Sequence, residues 1–203
     1  MIGSMKEIDE RHGAGADDEA NEAVDLERRI AEALTRARRT VASAESLTGG
    51  SVSAGLSAIE GASNWFVGGV VAYASEVKFD LLGVDRGPVI NALTAEQMAT
   101  GVARLLHADF AVATTGVGGP GPEEGRPEGT VFIAVATPDG CTVNEYAFEG
   151  DPSGITALAT RQALRDLAAA VATRRYRSVS SAKPEAAGLS SGAAPQTGSS
   201  SGT

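Results

Sequence analysis

The stretch "GTVFIAVATPDGCTVNEYAFEG", residues 129–150, restricts the fold more than any other. Two alternating apolar runs flank Pro138-Asp139-Gly140, a turn signal, and together they predict a β-hairpin. Upstream the pattern differs: short apolar runs alternate with helical ones, as in strands joined by crossover helices. A chain with both patterns reads as an α/β protein, a mixed sheet covered by helices on both faces.

The helical pieces follow from spacing. Val24, Leu26, Ile30 and Leu34 recur at helical intervals in "EAVDLERRIAEALTRARR". "TVASAE" then reads as a short strand, and a second helix is expected over residues 48–59, with Val52 and Leu56 facing inward. "NWFVGGVVAYA" reads as a buried strand, and "SEVKFDLLGV" as a short helix capped by Ser75. "TAEQMATGVARLLHA" is amphipathic, with Thr94 and Gln97 spaced as a capping box. "DFAVATTG" is a buried strand, and residues 153–175 form the last helix. The folded part is expected over residues 23–175, one domain. Residues 1–22 are acidic and Gly/Ala-rich without an apolar period, and residues 176–203 are rich in Ser, Gly, Ala and Pro. Both read as disordered tails.

Composition removes several function classes. A net charge of −9 argues against a nucleic-acid backbone as partner. One cysteine, Cys141, excludes an internal disulfide and a multi-Cys zinc site, and suits a reducing compartment. Two histidines, His12 and His107, leave no histidine-based metal cluster. No apolar run reaches the ~18 residues that a membrane span needs, and the N-terminal residues lack the apolar core of a signal peptide. The expected location is the cytoplasm.

Three clusters remain as candidate chemistry. In "AESLTGG", Glu45, Ser46, Thr48, Gly49 and Gly50 stand where a strand hands over to a helix. Free backbone N–H groups and the positive end of the helix dipole there suit a phosphate or a developing oxyanion. Ser46 would face the crevice where open α/β sheets bind ligands. The same residues also serve as ordinary caps and turn material. In "YASEVK", Lys78 follows Tyr73 by five residues at another strand-to-helix transition. A lysine in an apolar crevice can act as base for a serine nucleophile, which this histidine-poor chain needs; a solvated surface lysine is the plain alternative. Ser75 and Lys78 also satisfy S-x-x-K, but the companion S-D-N and K-T-G elements of penicillin-binding proteins are missing. In "TTGVGGPGPEEGRPEGT", residues 116–121 match G-x-G-x-x-G, yet Pro120, Pro122 and Pro127 forbid the helix a dinucleotide site requires. What survives is a Gly-rich loop offering N–H groups from Gly116, Gly118 and Gly119, with the Thr115 hydroxyl and the Arg126 charge nearby. A long surface loop stiffened by Gly and Pro is the alternative.

Taken together, "TVASAESLTGGSVSAGL", "VVAYASEVKFDLLGV" and "ADFAVATTGVGGPG" with "GTVFIAVATPDG" resemble the C-terminal domain of the CinA (competence/damage-inducible) family, over about residues 24–172. The resemblance implies a three-layer α/β/α sandwich around a mixed, about five-stranded sheet, and a homo-oligomer. It implies deamidation of nicotinamide mononucleotide to nicotinate mononucleotide and ammonia, without metal or cofactor. Ser46 stands at the family's nucleophile, and Tyr73 and Lys78 at the pair that would activate it. Residues 115–119 stand in its ligand loop, and Arg126 where Lys is common. The chain departs from the family at Leu47 (usually Cys), at Ala74 and Ser75 (usually Ser-Asn), and at Pro152 and Thr156, where the family has arginines. Those two losses keep two alternatives open: a nucleotide-binding relative with impaired catalysis, or an amidohydrolase for another small amide.

Overall fold

A computed structural model describes residues 13–172, with side chains from residue 24 onward. The elements in chain order are α1 (Gly13–Ala37), β1 (Val41–Glu45), α2 (Ser51–Ala58), β2 (Phe66–Val71), α3 (Ser75–Leu82), α4 (Ala92–Leu106), β3 (Phe110–Gly116), β4 (Thr130–Thr137), β5 (Gly140–Ala147) and α5 (Pro152–Ala172). The five strands form one mixed sheet in the order β2-β1-β3-β4-β5. β1 runs parallel to β2 and to β3, while β3–β4 and β4–β5 are antiparallel. The mixed sheet expected from an early crossover pattern and a late hairpin is therefore present.

The alternation of side chains divides the sheet into two unlike faces. Val41, Val112, Val131, Ile133 and Val135 pack with Leu34 of α1, Leu56 of α2 and Leu167 of α5. Ala42, Ala44, Ala111, Ala113, Ala134 and Ala136 point the other way, toward Leu82 of α3 and Met98 of α4. The small residues on this second face let the helices lie close. A Cβ on Gly101 of α4 would sit 2.1 Å from the Leu82 carbonyl oxygen, so the α3–α4 contact admits no side chain there.

Several local expectations are corrected. β2 is an edge strand, not a buried one: Val67 and Val71 are exposed. Its valines mimic a central strand in sequence, and only its place in the sheet order reveals the free edge. Ser75 is the first residue of α3; Ala74 precedes the helix and makes no side-chain cap. Asn91, not Thr94, caps α4, its side-chain oxygen accepting the Thr94 N–H at 2.8 Å. Thr94 is itself buried, and Gln97 instead reaches Asp85. Helix α2 starts at Ser51 because the preceding turn is held elsewhere, as described below. Helix α1 begins at Gly13, inside the segment expected to lack regular structure; its alanine- and glutamate-rich sequence extends an existing helix at little cost. Residues 1–12 and the expected tail, 176–203, lie outside the described residues. Among the described residues no helix is long and apolar enough to cross a membrane.

Gly101→Ala is expected to destabilise the domain by about 1–3 kcal/mol through overpacking. The measurement is the urea midpoint, which should fall with an unchanged slope.

Candidate active site

At the C-terminal end of β1 the chain turns sharply, and the turn is built around Glu45. Its side chain is fully buried. Its carboxylate accepts the Gly50 and Val52 N–H groups at 3.0 Å each, the Ser53 N–H at 2.7 Å, the Ser53 hydroxyl at 2.5 Å and the Thr48 hydroxyl at 2.8 Å. The anion that the first turn of α2 favours is thus supplied by the protein. Gly50, at φ +105°, gives the left-handed bend that brings these donors onto one carboxylate. The Thr48 and Thr114 hydroxyls, 2.8 Å apart, tie the turn to β3.

This corrects the role expected for the turn's donors. Glu45 and Thr48 are buried and engaged with each other, and neither they nor Gly49 and Gly50 line the cleft. The α2 N-terminus is already neutralised. The sequence showed the glycines and the hydroxyl, but not that the carboxylate before them folds back onto the helix.

What the turn presents outward is Ser46. It lines a cleft of about 390 Å3 beside Leu47, with its own N–H held by the Thr114 carbonyl at 3.0 Å. The same cleft is lined by Tyr73, just before α3, and by Ser75 and Lys78 of α3. Lys78 is 1 % exposed, and its Nζ donates to the main-chain carbonyl of Tyr73 at 3.2 Å. Burial lowers the Lys78 pKa from its ordinary value; the nearby Glu123 and Glu124 carboxylates oppose the shift. Tyr73 lies at the rim and is 73 % exposed. It holds the lysine through its backbone, and the hydrogen bond that Lys78 makes does not involve the phenol.

The Gly-rich loop closes the third side. Gly116, Gly118 and Gly119 line the cleft, and a Cβ on Gly118 would lie 3.7 Å from the Leu47 Cβ, so the loop passes directly against the serine turn. Among the described residues the N–H groups of Leu47, Gly118 and Gly119 have no hydrogen-bond acceptor. The loop is anchored from both sides. Glu124 accepts the Val89 and Ile90 N–H groups at 2.8 and 2.9 Å, and Glu128 accepts the Gly121 N–H at 2.6 Å. The Thr115 hydroxyl lines the cleft but donates to the Val89 carbonyl at 2.9 Å. Arg126 does not line the cleft; it pairs with Glu145 at 3.4 Å and lies over the Phe132 ring.

The rest of the lining comes from Val89 and Ile90, which no motif marked, from Glu123 of the loop, and from Pro152 and Thr156. Pro152 and Thr156 begin α5, so the two departures noted in the sequence stand in the cleft itself. Among the described residues no three His, Cys, Asp or Glu side chains gather as a metal site.

The profile of the CinA C-terminal domain matches residues 23–171. The chain belongs to the CinA C-terminal domain family. A CinA-like protein of Synechococcus sp. is 42 % identical over 156 residues, 74 % of this chain and 36 % of the relative. The chain spans about a third of the length of such curated CinA relatives. A crystal structure of a CinA superfamily protein from Klebsiella pneumoniae aligns with TM-score 0.71 and 31 % identity over 75 % of this chain and 99 % of that one. The competence/damage-inducible protein CihA of Agrobacterium tumefaciens aligns with TM-score 0.69 and 33 % identity over 74 % and 95 %.

Glu45→Ala leaves several buried donors without an acceptor and is expected to cost about 3 kcal/mol or more. Glu45→Gln keeps part of the acceptor and should cost less. Thermal denaturation of the two variants beside the native chain checks the order.

Proposed function

We propose that this chain is a metal-independent amidohydrolase that converts nicotinamide mononucleotide to nicotinate mononucleotide and ammonia. The observation that carries the proposal is the meeting, in one cleft, of the Ser46 turn, a buried lysine of lowered pKa and amide donors with no acceptor of their own. The substrate comes from the resemblance, and the family membership supports it.

In the proposed reaction Ser46 Oγ attacks the carboxamide carbon. Neutral Lys78 takes the serine proton and returns it to the departing nitrogen, so ammonia leaves and an acyl-serine remains. The N–H groups of Leu47, Gly118 and Gly119, without acceptors of their own, are the proposed donors to the developing oxyanion, a donor being worth about 3 kcal/mol in comparable sites. Water, deprotonated by the same lysine, then releases the acid. Tyr73 contributes its carbonyl, which fixes the lysine; a relay through its hydroxyl would require the ring to turn inward from the rim. The homo-oligomer implied by the resemblance belongs to the same proposal.

The placement of Pro152 and Thr156 in the cleft wall favours one second reading, a relative that binds without hydrolysis. Ammonia release by the purified chain separates the two. Release that disappears in Ser46→Ala, with the fold kept, supports the hydrolase. Ligand-induced thermal stabilisation without release, and equal in Ser46→Ala, supports the binder.

The pH profile follows from Lys78. Its base form is the active one, so the rate should rise with pH through a pKa below the ordinary lysine value near 10.5. The same shift acts on stability: the unfolded lysine binds its proton more tightly than the folded one. Holding the buried cation therefore costs stability below the folded pKa, and the cost fades as pH rises toward the unfolded value. In Lys78→Met the rising limb should vanish with the activity, while the stability deficit at lower pH is relieved; paired rate and melting profiles check both.

A further inference from the structure

Two chains of hydroxyl groups end on the Glu45 carboxylate, and their protons can run only one way. A hydroxyl has one proton to give, and an ionised carboxylate only accepts. Ser53 gives its proton to Glu45 Oε1 at 2.5 Å. In the Ser43–Ser53 pair, 2.8 Å apart, Ser43 is therefore the donor. Thr48 gives its proton to Glu45 Oε2 at 2.8 Å, so in the Thr48–Thr114 pair Thr114 is the donor. Main-chain N–H groups occupy both carboxylate oxygens as well, which leaves neither oxygen free to donate in return. The network thus has one arrangement of protons, and each hydroxyl is fixed in rotation.

The two chains end in different places. The first joins Ser53 of α2 to Ser43 of β1, on the side of the edge strand. Gly69 of β2 leaves room for it, since a Cβ there would lie 2.3 Å from both hydroxyl oxygens. Its members belong to β1 and α2, and it ties those two elements together. The second chain joins Thr48, two residues after Ser46, to Thr114 of β3. Thr114 also takes the Ser46 N–H on its carbonyl at 3.0 Å. One residue of β3 therefore grips the turn twice, at Ser46 and at Thr48. Thr114 is fully buried and pairs with Glu45 in the sheet, so the register of β1 with β3 sets its place.

We propose that the Thr114 hydroxyl is a positioning group for Ser46, acting through Thr48, while the Ser43 chain serves to secure α2. This rests on the amidohydrolase reading and adds to it a residue outside the cleft lining. A nucleophile must meet its carbonyl at close range and in line, and a shift of a fraction of an ångström slows the attack without weakening the hold on substrate. The loss of the Thr114 hydroxyl should therefore appear in kcat and leave KM alone.

The test measures ammonia release from nicotinamide mononucleotide by the full chain and by Thr114→Val, Thr114→Ser and Ser43→Ala, with urea midpoints for each. Thr114→Val should lower kcat about tenfold or more, with KM within about twofold and the rising limb of the pH profile in place, because Lys78 is untouched. Thr114→Ser keeps the proton and should restore kcat to within about threefold of the native chain. Ser43→Ala removes an equivalent donor from the other chain. It should lower the urea midpoint as Thr114→Val does, with kcat within about twofold of native. A kcat within twofold of native in folded Thr114→Val overturns the inference, as does a Thr114→Ser that fails to recover. Equal losses of kcat in Ser43→Ala and Thr114→Val also overturn it, since general loosening then explains both. Should Thr114→Val not fold, Thr114→Cys, a weaker donor of similar size, should give an intermediate kcat, and a native kcat there overturns the inference. All of these failures leave the amidohydrolase standing. No release by the native chain overturns the amidohydrolase reading, and this inference with it.

Discussion

The carboxylate of Glu45 organises the region where strand, helix and cleft meet. Five donors from the following turn and the first turn of α2 converge on it, so β1 ends and α2 begins around a single buried anion. A buried charge is stabilised only where hydrogen bonds replace its lost hydration. Here the helix terminus supplies them, and the charge in turn satisfies donors that would otherwise lie unpaired. Ser46 follows this anchor by one residue, and its N–H is fixed by Thr114 on the neighbouring strand. The serine is held on two sides before any ligand arrives.

The other parts of the site depend on that arrangement. With the α2 terminus occupied, the N–H groups of Leu47, Gly118 and Gly119 remain without an acceptor beside Ser46. That loop is kept against the serine by two of its own acids: Glu124 binds the segment before α4, and Glu128 binds Gly121. Lys78 belongs to α3, whose start is set by the end of the edge strand β2. Strand ends and helix starts thus converge at one end of the sheet, where β1 and β3 run in parallel.

The sheet was legible because β4 and β5 read as alternating runs around a strong turn and β3 as a short apolar, β-branched run. The edge position of β2 was not, since "FVGGVV" has the composition of an interior strand and only pairing order exposes it. Ser46, Lys78 and the Gly-rich loop could be singled out because a serine, a lysine and glycines at strand ends carry chemical meaning. Glu45 was grouped with them, but its role depends on which way one side chain turns, and spacing does not encode that. Val89 and Ile90 gave no local signal, and Pro152 and Thr156 stood out only through the resemblance. All four reach the cleft through the packing of α5 and of the segment before α4, a long-range consequence of the fold. Arg126 was grouped with the site by proximity in sequence, and a glutamate on β5 draws it away.

The two faces of the sheet also differ in how they can change over time. The valine and isoleucine face meets α1, α2 and α5 through large side chains whose shapes can be exchanged with compensating swaps. The alanines of the other face have less latitude: they are already near the smallest available, and α4 adds a glycine in direct apposition to a carbonyl. Enlarging these alanines or Gly101 is therefore expected to strain the α3–α4 side, which carries Lys78, more than exchanges among the larger side chains of the other face.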